Sequence, residues 1–186
     1  HQKYQCHETG HHLGMWFYAY VGDLPTEISN SKRVCGGALY HGVIQNYFLT
    51  EEFNGVTIEN FDLDSICINS TSNPNYIVHL ECLHGLGHGL ASLYSYDTVT
   101  AVKRCDEFDL NMERINCAKG VFMQNAVPYL ETQQGDYVPS DPYYPCNSLE
   151  LEWQPSCYYY HISYVLIINS GKLSSSFDYC DDIEPS

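Results

Sequence analysis

The sequence predicts an all-α protein, organised as a disulfide-stapled array of degenerate helical hairpins whose layout resembles an α-solenoid. Five segments each open with a cysteine and then run apolar for about 10 to 15 residues, with the spacing of a buried helix. Polar, turn-rich sequence separates them. Their starts lie 29 to 47 residues apart, close to the length of a helical-hairpin repeat. These Cys-opened segments begin at Cys6, Cys35, Cys82, Cys117 and Cys157.

The intervening sequence supplies partner helices. Residues 58–67 and 97–108 have helical spacing of apolar residues, and Asp97 is placed to act as an N-cap. In three cases a further cysteine precedes an opening cysteine by 11 to 15 residues, which suggests a bridge from one helix end to the next. The suggested bridges are Cys67–Cys82, Cys105–Cys117 and Cys146–Cys157. Three cysteines then remain unassigned, namely Cys6, Cys35 and Cys180.

We expect residues 1–186 to form a single helical, cysteine-rich domain. One segment, at about 128–156, contains five of the eight prolines and cannot be one regular helix. We expect a long loop there, with a short helical turn near Leu149. Loops of this length usually serve as lids or interaction surfaces.

Composition limits the classes of function and the compartment. The nine cysteines contain no CxxC pair, which argues against a zinc ribbon, a thioredoxin-type motif and a c-type haem site. Dispersed cysteines favour structural disulfides, and these persist in extracellular or periplasmic compartments. The formal net charge of −15 argues against nucleic-acid binding. No apolar run reaches the roughly 18 residues that a membrane span needs.

Histidines are concentrated in the apolar segments. His7 and His11 form one pair with i, i+4 spacing, and His84 and His88 form another, so each pair shares a helical face. His41 should lie near both pairs if equivalent helices stack side by side. Neutral imidazole is a common ligand of zinc, copper, iron and nickel. The sequence therefore predicts these five residues as ligands of zinc, with copper as the alternative.

Glycines surround the second histidine pair, at Gly85, Gly87 and Gly89. Each glycine costs a helix interior about 1 kcal/mol relative to alanine. We therefore expect another element to approach this helix closely.

The segment His7-Glu8-Thr9-Gly10-His11 matches the pattern HExxH. Over these five residues it resembles the zincin metallopeptidases, and the resemblance implies zinc ligation by the two histidines and a general-base role for Glu8. The chain departs from the extended pattern HxxGxxH, because Phe17 stands where the third histidine would be.

Two classes of function stay open at this point. The first is an extracytoplasmic metal-binding protein, with zinc-dependent hydrolysis as its more specific form. A carboxylate beside the metal, Glu8 or Glu81, would then act on bound water. The second is a structural or interaction subunit that meets protein partners through Tyr-rich faces, and in which the histidines only pack.

Overall fold

The computed structural model describes residues 2–24, 26, 35–68, 76–132 and 135–183. Within these ranges the regular structure is helical, and the β-type pairing is one isolated bridge between Val138 and Asp141. The α-helices are α1 (Gln2–Val21), α2 (Ala38–Phe53), α3 (Leu63–Ile68), α4 (Tyr76–Leu93), α5 (Thr98–Lys103), α6 (Asn111–Thr132), α7 (Gln154–Ile168) and α8 (Leu173–Asp181). Single 3₁₀ turns cover Ile58–Asn60, Arg104–Glu107 and Cys146–Ser148.

The long helices pack in chain order. Helix α2 lies between α1 and α4, α4 also packs against α6, and α6 packs against α7. The short helices α3 and α5 both contact α4. Among the described residues, no helix has the length and apolar character needed to cross a bilayer. The all-α prediction is confirmed, while the arrangement of repeated hairpins stays a prediction.

Four disulfides link the helices. The three bridges suggested by the sequence are present, and a fourth joins the remaining pair across a longer separation of 29 residues. The four bridges are Cys6–Cys35, Cys67–Cys82, Cys105–Cys117 and Cys146–Cys157. Cys180 is a free, exposed thiol.

The helices begin earlier than the apolar pattern predicts. Helices α4 and α6 each begin six residues before their cysteine, Cys82 and Cys117, and α7 begins three residues before Cys157. The first two residues of α4 and of α6 are exposed, and the first buried residue of each helix is its cysteine. The prediction that a cysteine opens each of these helices is therefore wrong, because the apolar run marks where a helix enters the core.

Proline is tolerated at both ends of the segment predicted to be a loop. Helix α6 continues through Pro128 to Thr132, and Pro155 lies in the first turn of α7. The fixed φ of proline suits a helix, and its cost inside one is a missing N–H bond together with a steric clash. Between these helices the described residues 135–153 form turns, including the 3₁₀ turn near the predicted Leu149 position.

The N-cap prediction at Asp97 is confirmed. Its carboxylate accepts a hydrogen bond of 3.0 Å from the backbone N–H of Thr100, at the start of α5. This satisfies one of the N–H groups that a helix start leaves without an intrahelical partner.

Two pairs of glycines allow neighbouring helices to approach closely. Gly14 of α1 faces Gly42 of α2, and Gly87 of α4 faces Gly120 of α6. A Cβ atom on any of the four would overlap a backbone carbonyl oxygen of the facing helix. The first crossing brings the histidine-bearing helices α1 and α2 to backbone distance, and the second brings α6 equally close to α4.

Candidate metal centre

All five histidines predicted as ligands come together between α1, α2 and α4. The ring centroid of His41 lies 4.6 Å from that of His88, 4.7 Å from that of His84 and 5.1 Å from that of His11. His7 completes the set, with its ring centroid 4.9 Å from that of His11. We call these five residues the histidine cluster.

Helix geometry explains why the cluster forms. The i, i+4 spacing turns both imidazoles of α1, and both of α4, toward α2, which lies between them. Gly85 of α4 lies against the backbone of α2, where a Cβ atom would stand 3.2 Å from the Cα of His41. The predicted close approach to the glycines of α4 is therefore confirmed on this side. Gly87 instead faces α6, at its crossing with Gly120.

The cluster contains two overlapping groups with the spacing of a metal site. Within each group, one possible ligand atom from every residue lies within 4.8 Å of the others. The first group comprises His7, His11 and His41, and the second comprises His41, His84 and His88. His41, at the centre, belongs to both.

Three ring nitrogens of the cluster are buried without a hydrogen-bond partner among the described residues. They are the Nε2 atoms of His7, His41 and His88. In two of these residues the other nitrogen donates a hydrogen bond, from His7 Nδ1 to the Cys35 carbonyl (2.8 Å) and from His88 Nδ1 to Gln124 Oε1 (2.7 Å). In the neutral form of each ring, Nε2 is therefore the nitrogen that carries the lone pair. A buried polar atom left unsatisfied costs about 1–3 kcal/mol.

A serine fixes the orientation of Gln124. Ser92 Oγ donates to the His88 carbonyl (3.2 Å), so its oxygen is left to accept from the amide nitrogens of Gln45 (3.2 Å) and Gln124 (3.5 Å). Each amide oxygen then faces away from Ser92, and that of Gln124 accepts from His88. Outer hydrogen bonds of this kind set the tautomer of metal-binding histidines.

Burial keeps four of the five imidazoles neutral by lowering the pKa of each. Desolvation lowers the pKa of His11 to about 2, assisted by the nearby His88 and His7 and opposed by a hydrogen bond with Gln45. Desolvation lowers the pKa of His84 to about 4, although a hydrogen bond with the backbone of Asn116 raises it.

The pKa values of His41 and His88 also lie well below the usual range, chiefly through desolvation and then through neighbouring histidines. At neutral pH these four rings, those of His11, His41, His84 and His88, carry lone pairs and need lose no proton before one nitrogen binds a metal.

A cleft of about 490 Å³ reaches the cluster from solvent. Its wall includes His7, His41 and His84, at least one histidine from each of the three helices. Glu81 and Lys119 bring charge to the same wall. Glu81 Oε2 lies 4.0 Å from His41 Nε2. A metal ion in the cluster would therefore be accessible to a small molecule.

The remaining candidates lie elsewhere. Glu8, the base implied by the HExxH pattern, is exposed on α1, and its catalytic role stays a prediction. Glu81 is the carboxylate that the structure places beside His41. His12 is exposed, His79 pairs with Glu113 at 2.9 Å, and His161 donates to the Pro142 carbonyl at 2.6 Å.

Comparisons of this chain with family models, with curated proteins and with solved structures found no match of any of the three kinds.

Proposed function

We propose that this chain is an extracytoplasmic metal-binding protein that holds zinc, with copper as the alternative, through the histidine cluster. One observation carries the proposal. Three buried Nε2 atoms lack a hydrogen-bond partner within the described structure, and their rings belong to groups whose ligand atoms lie within 4.8 Å. A bound cation would satisfy lone pairs that otherwise destabilise the fold.

The donor set favours zinc. The possible donors are imidazole nitrogens. Eight of the nine cysteines form disulfides and so cannot bind a metal as thiolates. Tetrahedral zinc with Zn–N bonds of 2.0–2.1 Å needs nitrogens about 3.4 Å apart. His41 Nδ1 and His11 Nε2 are 3.2 Å apart, close to this value. Other ligand atoms of a group lie up to 4.8 Å apart, and their side chains would have to rotate before all of them could bind one ion.

The extracytoplasmic part of the proposal rests on the cysteines. Four disulfides are consistent with an oxidising compartment.

The proposed architecture is the predicted array of hairpins. Its support is a recurring crossing: Gly42 of α2 lies against the His11 carbonyl of α1, and Gly120 of α6 lies against the His84 carbonyl of α4.

Metal analysis of protein purified without an affinity tag or added metal tests the proposal. We expect at least one equivalent of zinc or copper by mass spectrometry in the wild type. His41→Ala removes the ligand shared by both groups and should lose that metal. His161→Ala is the matched control, since it also removes a buried histidine but one outside the cluster. A wild type that keeps its fold and takes up neither metal would leave the structural or interaction subunit as the function.

The cleft favours hydrolysis as a second, more specific function. Zinc held by three imidazoles keeps a position for water and lowers the pKa of that water to about 7. Glu81 lies beside His41 at the cleft wall and would accept the proton of that water. Lys119 favours a substrate with a negative charge near the scissile group.

Glu81→Gln tests the hydrolytic proposal against the sequence-based alternative Glu8→Gln. With p-nitrophenyl acetate and p-nitrophenyl phosphate as probes, we expect the zinc protein to release p-nitrophenol from at least one. Glu81→Gln should retain zinc and lose most of this rate, whereas Glu8→Gln should keep it. The opposite pattern would restore Glu8 as the base, and zinc protein without turnover of either probe would count against hydrolysis.

A further inference from the structure

His41 presents its two ring nitrogens to different surroundings. Its Nδ1 lies 3.2 Å from Nε2 of His11, a member of the first group. Its Nε2 is buried without a hydrogen-bond partner in the described structure and lies 4.0 Å from Glu81 Oε2. The ring also stacks on that of His88, at a centroid distance of 4.6 Å and an interplanar angle of 20°. The Nδ1 edge of this imidazole therefore faces the first group, while its Nε2 remains available to a second set of donors.

A single metal ion would not satisfy all the lone pairs of the cluster. His7 belongs only to the first group and His88 only to the second. Since the Nδ1 atom of each is already used in a hydrogen bond, Nε2 is the atom available to a metal. An ion in the first group leaves His88 Nε2 buried and unsatisfied, and an ion in the second leaves His7 Nε2 in that state. Buried polar atoms are rarely left so.

We infer that the histidine cluster is a binuclear centre in which the imidazole of His41 bridges two metal ions. Its Nδ1 binds the ion held by His7 and His11, and its Nε2 binds the ion held by His84 and His88. This inference rests on the proposed metal-binding function and deepens it.

Bridging requires one proton to leave. A neutral imidazole carries a single N–H, so binding a metal at both nitrogens converts His41 to imidazolate and releases that proton to solvent. No bond other than this N–H is broken, and no electron is transferred. The cleft gives the released proton a route out, since His41 forms part of its wall.

A negative charge lies where the second ion would bind. Two divalent ions and one imidazolate leave a net positive charge between the helices. The carboxylate of Glu81, 4.0 Å from His41 Nε2, offsets part of it on the side of the second group. The formal net charge of −15 on the whole chain acts in the same direction.

Metal stoichiometry tests the inference with the full chain. Metal-free protein is saturated with Zn²⁺ or Cu²⁺, freed of unbound metal and analysed for bound equivalents. We expect two equivalents in the wild type and one in each of two double variants, His7→Ala/His11→Ala and His84→Ala/His88→Ala. His79→Ala/His161→Ala is the matched control and should keep two.

Electron paramagnetic resonance of the wild type, loaded with two Cu²⁺, tests the bridge without any variant. An imidazolate between two Cu²⁺ ions couples their spins, so the ordinary signal of isolated Cu²⁺ should be lost or strongly altered. Protein loaded with one Cu²⁺ and one Zn²⁺ should give the uncoupled signal.

The outcomes separate the two proposals. No bound metal would overturn the proposed function and this inference together. A single equivalent in the wild type would leave the function standing and overturn the binuclear centre. Two equivalents with uncoupled Cu²⁺ signals would overturn the bridging role of His41.

Discussion

Gly42 of α2 lies against the backbone of α1, where a Cβ atom would overlap the carbonyl oxygen of His11 and stand 2.9 Å from the backbone nitrogen of Met15. In Gly42→Ala, both obstructing groups are backbone, so rotation of a side chain cannot relieve the overlap. The two helices would have to separate by about 1 Å, a typical consequence of overpacking.

The expected loss of stability is moderate. Overpacking costs about 1–3 kcal/mol, and a backbone clash belongs at the upper end of that range. Alanine gains back about 1 kcal/mol through helix propensity. We therefore expect a net loss of about 2 kcal/mol, or a fall in Tm of about 4–8 °C for a chain of this size. Zinc affinity should fall at least tenfold, since metal sites tolerate displacements of only about 0.5 Å.

Thermal unfolding with intact disulfides measures the loss of stability, and competition with a zinc chelator measures the loss of zinc affinity. Gly120→Ala is the matched control, because its Cβ atom would overlap the His84 carbonyl in the same manner but would displace α6, which carries no ligand. It should lose similar stability and keep the zinc of the first group, held by α1 and α2, at full affinity. Wild-type Tm and affinity in Gly42→Ala would refute the reasoning, as would an equal loss of zinc in both variants.

Four further predictions address the surroundings of the site. Ser92→Ala removes the hydroxyl that orients the side chains of the two glutamines. We expect metal affinity to fall about 10- to 100-fold in the same competition assay. Unchanged affinity would show that the tautomers of the cluster histidines do not depend on Ser92. Asp97→Ala should cost about 0.5–2 kcal/mol in urea unfolding, and Asp97→Asn, which keeps an acceptor, should cost less. Cys105→Ala/Cys117→Ala removes a disulfide that spans 12 residues and should lower the free energy of unfolding by about 3 kcal/mol. A loss near zero would mean that this bridge does not constrain the unfolded chain. Because burial lowers the pKa of four cluster histidines below 6.5, the unfolded chain binds protons that the folded chain does not. The stability of metal-free protein should thus be complete above pH 6.5 and fall below it, by up to about 1.4 kcal/mol per pH unit for each histidine, and urea unfolding that is flat between pH 7 and 5 would contradict this.

The grouping of the five histidines could be predicted because it depends on local periodicity. The i, i+4 pairs fix which imidazoles share a face, and glycine beside them signals a close neighbour. His41 lies six residues after Cys35, as His88 lies six residues after Cys82. The same rule applied to Cys6 selects His12, which is exposed, while His11 lies in the cluster. In α1 the clustered histidine therefore lies five residues after the cysteine instead of six. Only the i, i+4 pairing identifies the helical face of α1 that carries the cluster.

What depends on contacts between helices could not be predicted. Ser92 and the two glutamines are polar residues on three different helices, and nothing in their local sequence marks them as neighbours. The Cys6–Cys35 bridge lies outside the 11 to 15 residue spacing that identified the others. The proximity of Glu81 to His41 depends on Gly37, whose lack of a Cβ atom leaves room for the carboxylate.

The order of the ligands along the chain has a consequence for biosynthesis. His7, His11 and His41 lie on α1 and α2, and one disulfide joins α1 to the turn before α2, whereas the second group also needs α4. A ribosome completes the first group as soon as residue 41 is made and the second only at residue 88. If the cluster binds metal as proposed, α1 and α2 can therefore take up the first ion and close the Cys6–Cys35 disulfide before α4 is synthesised.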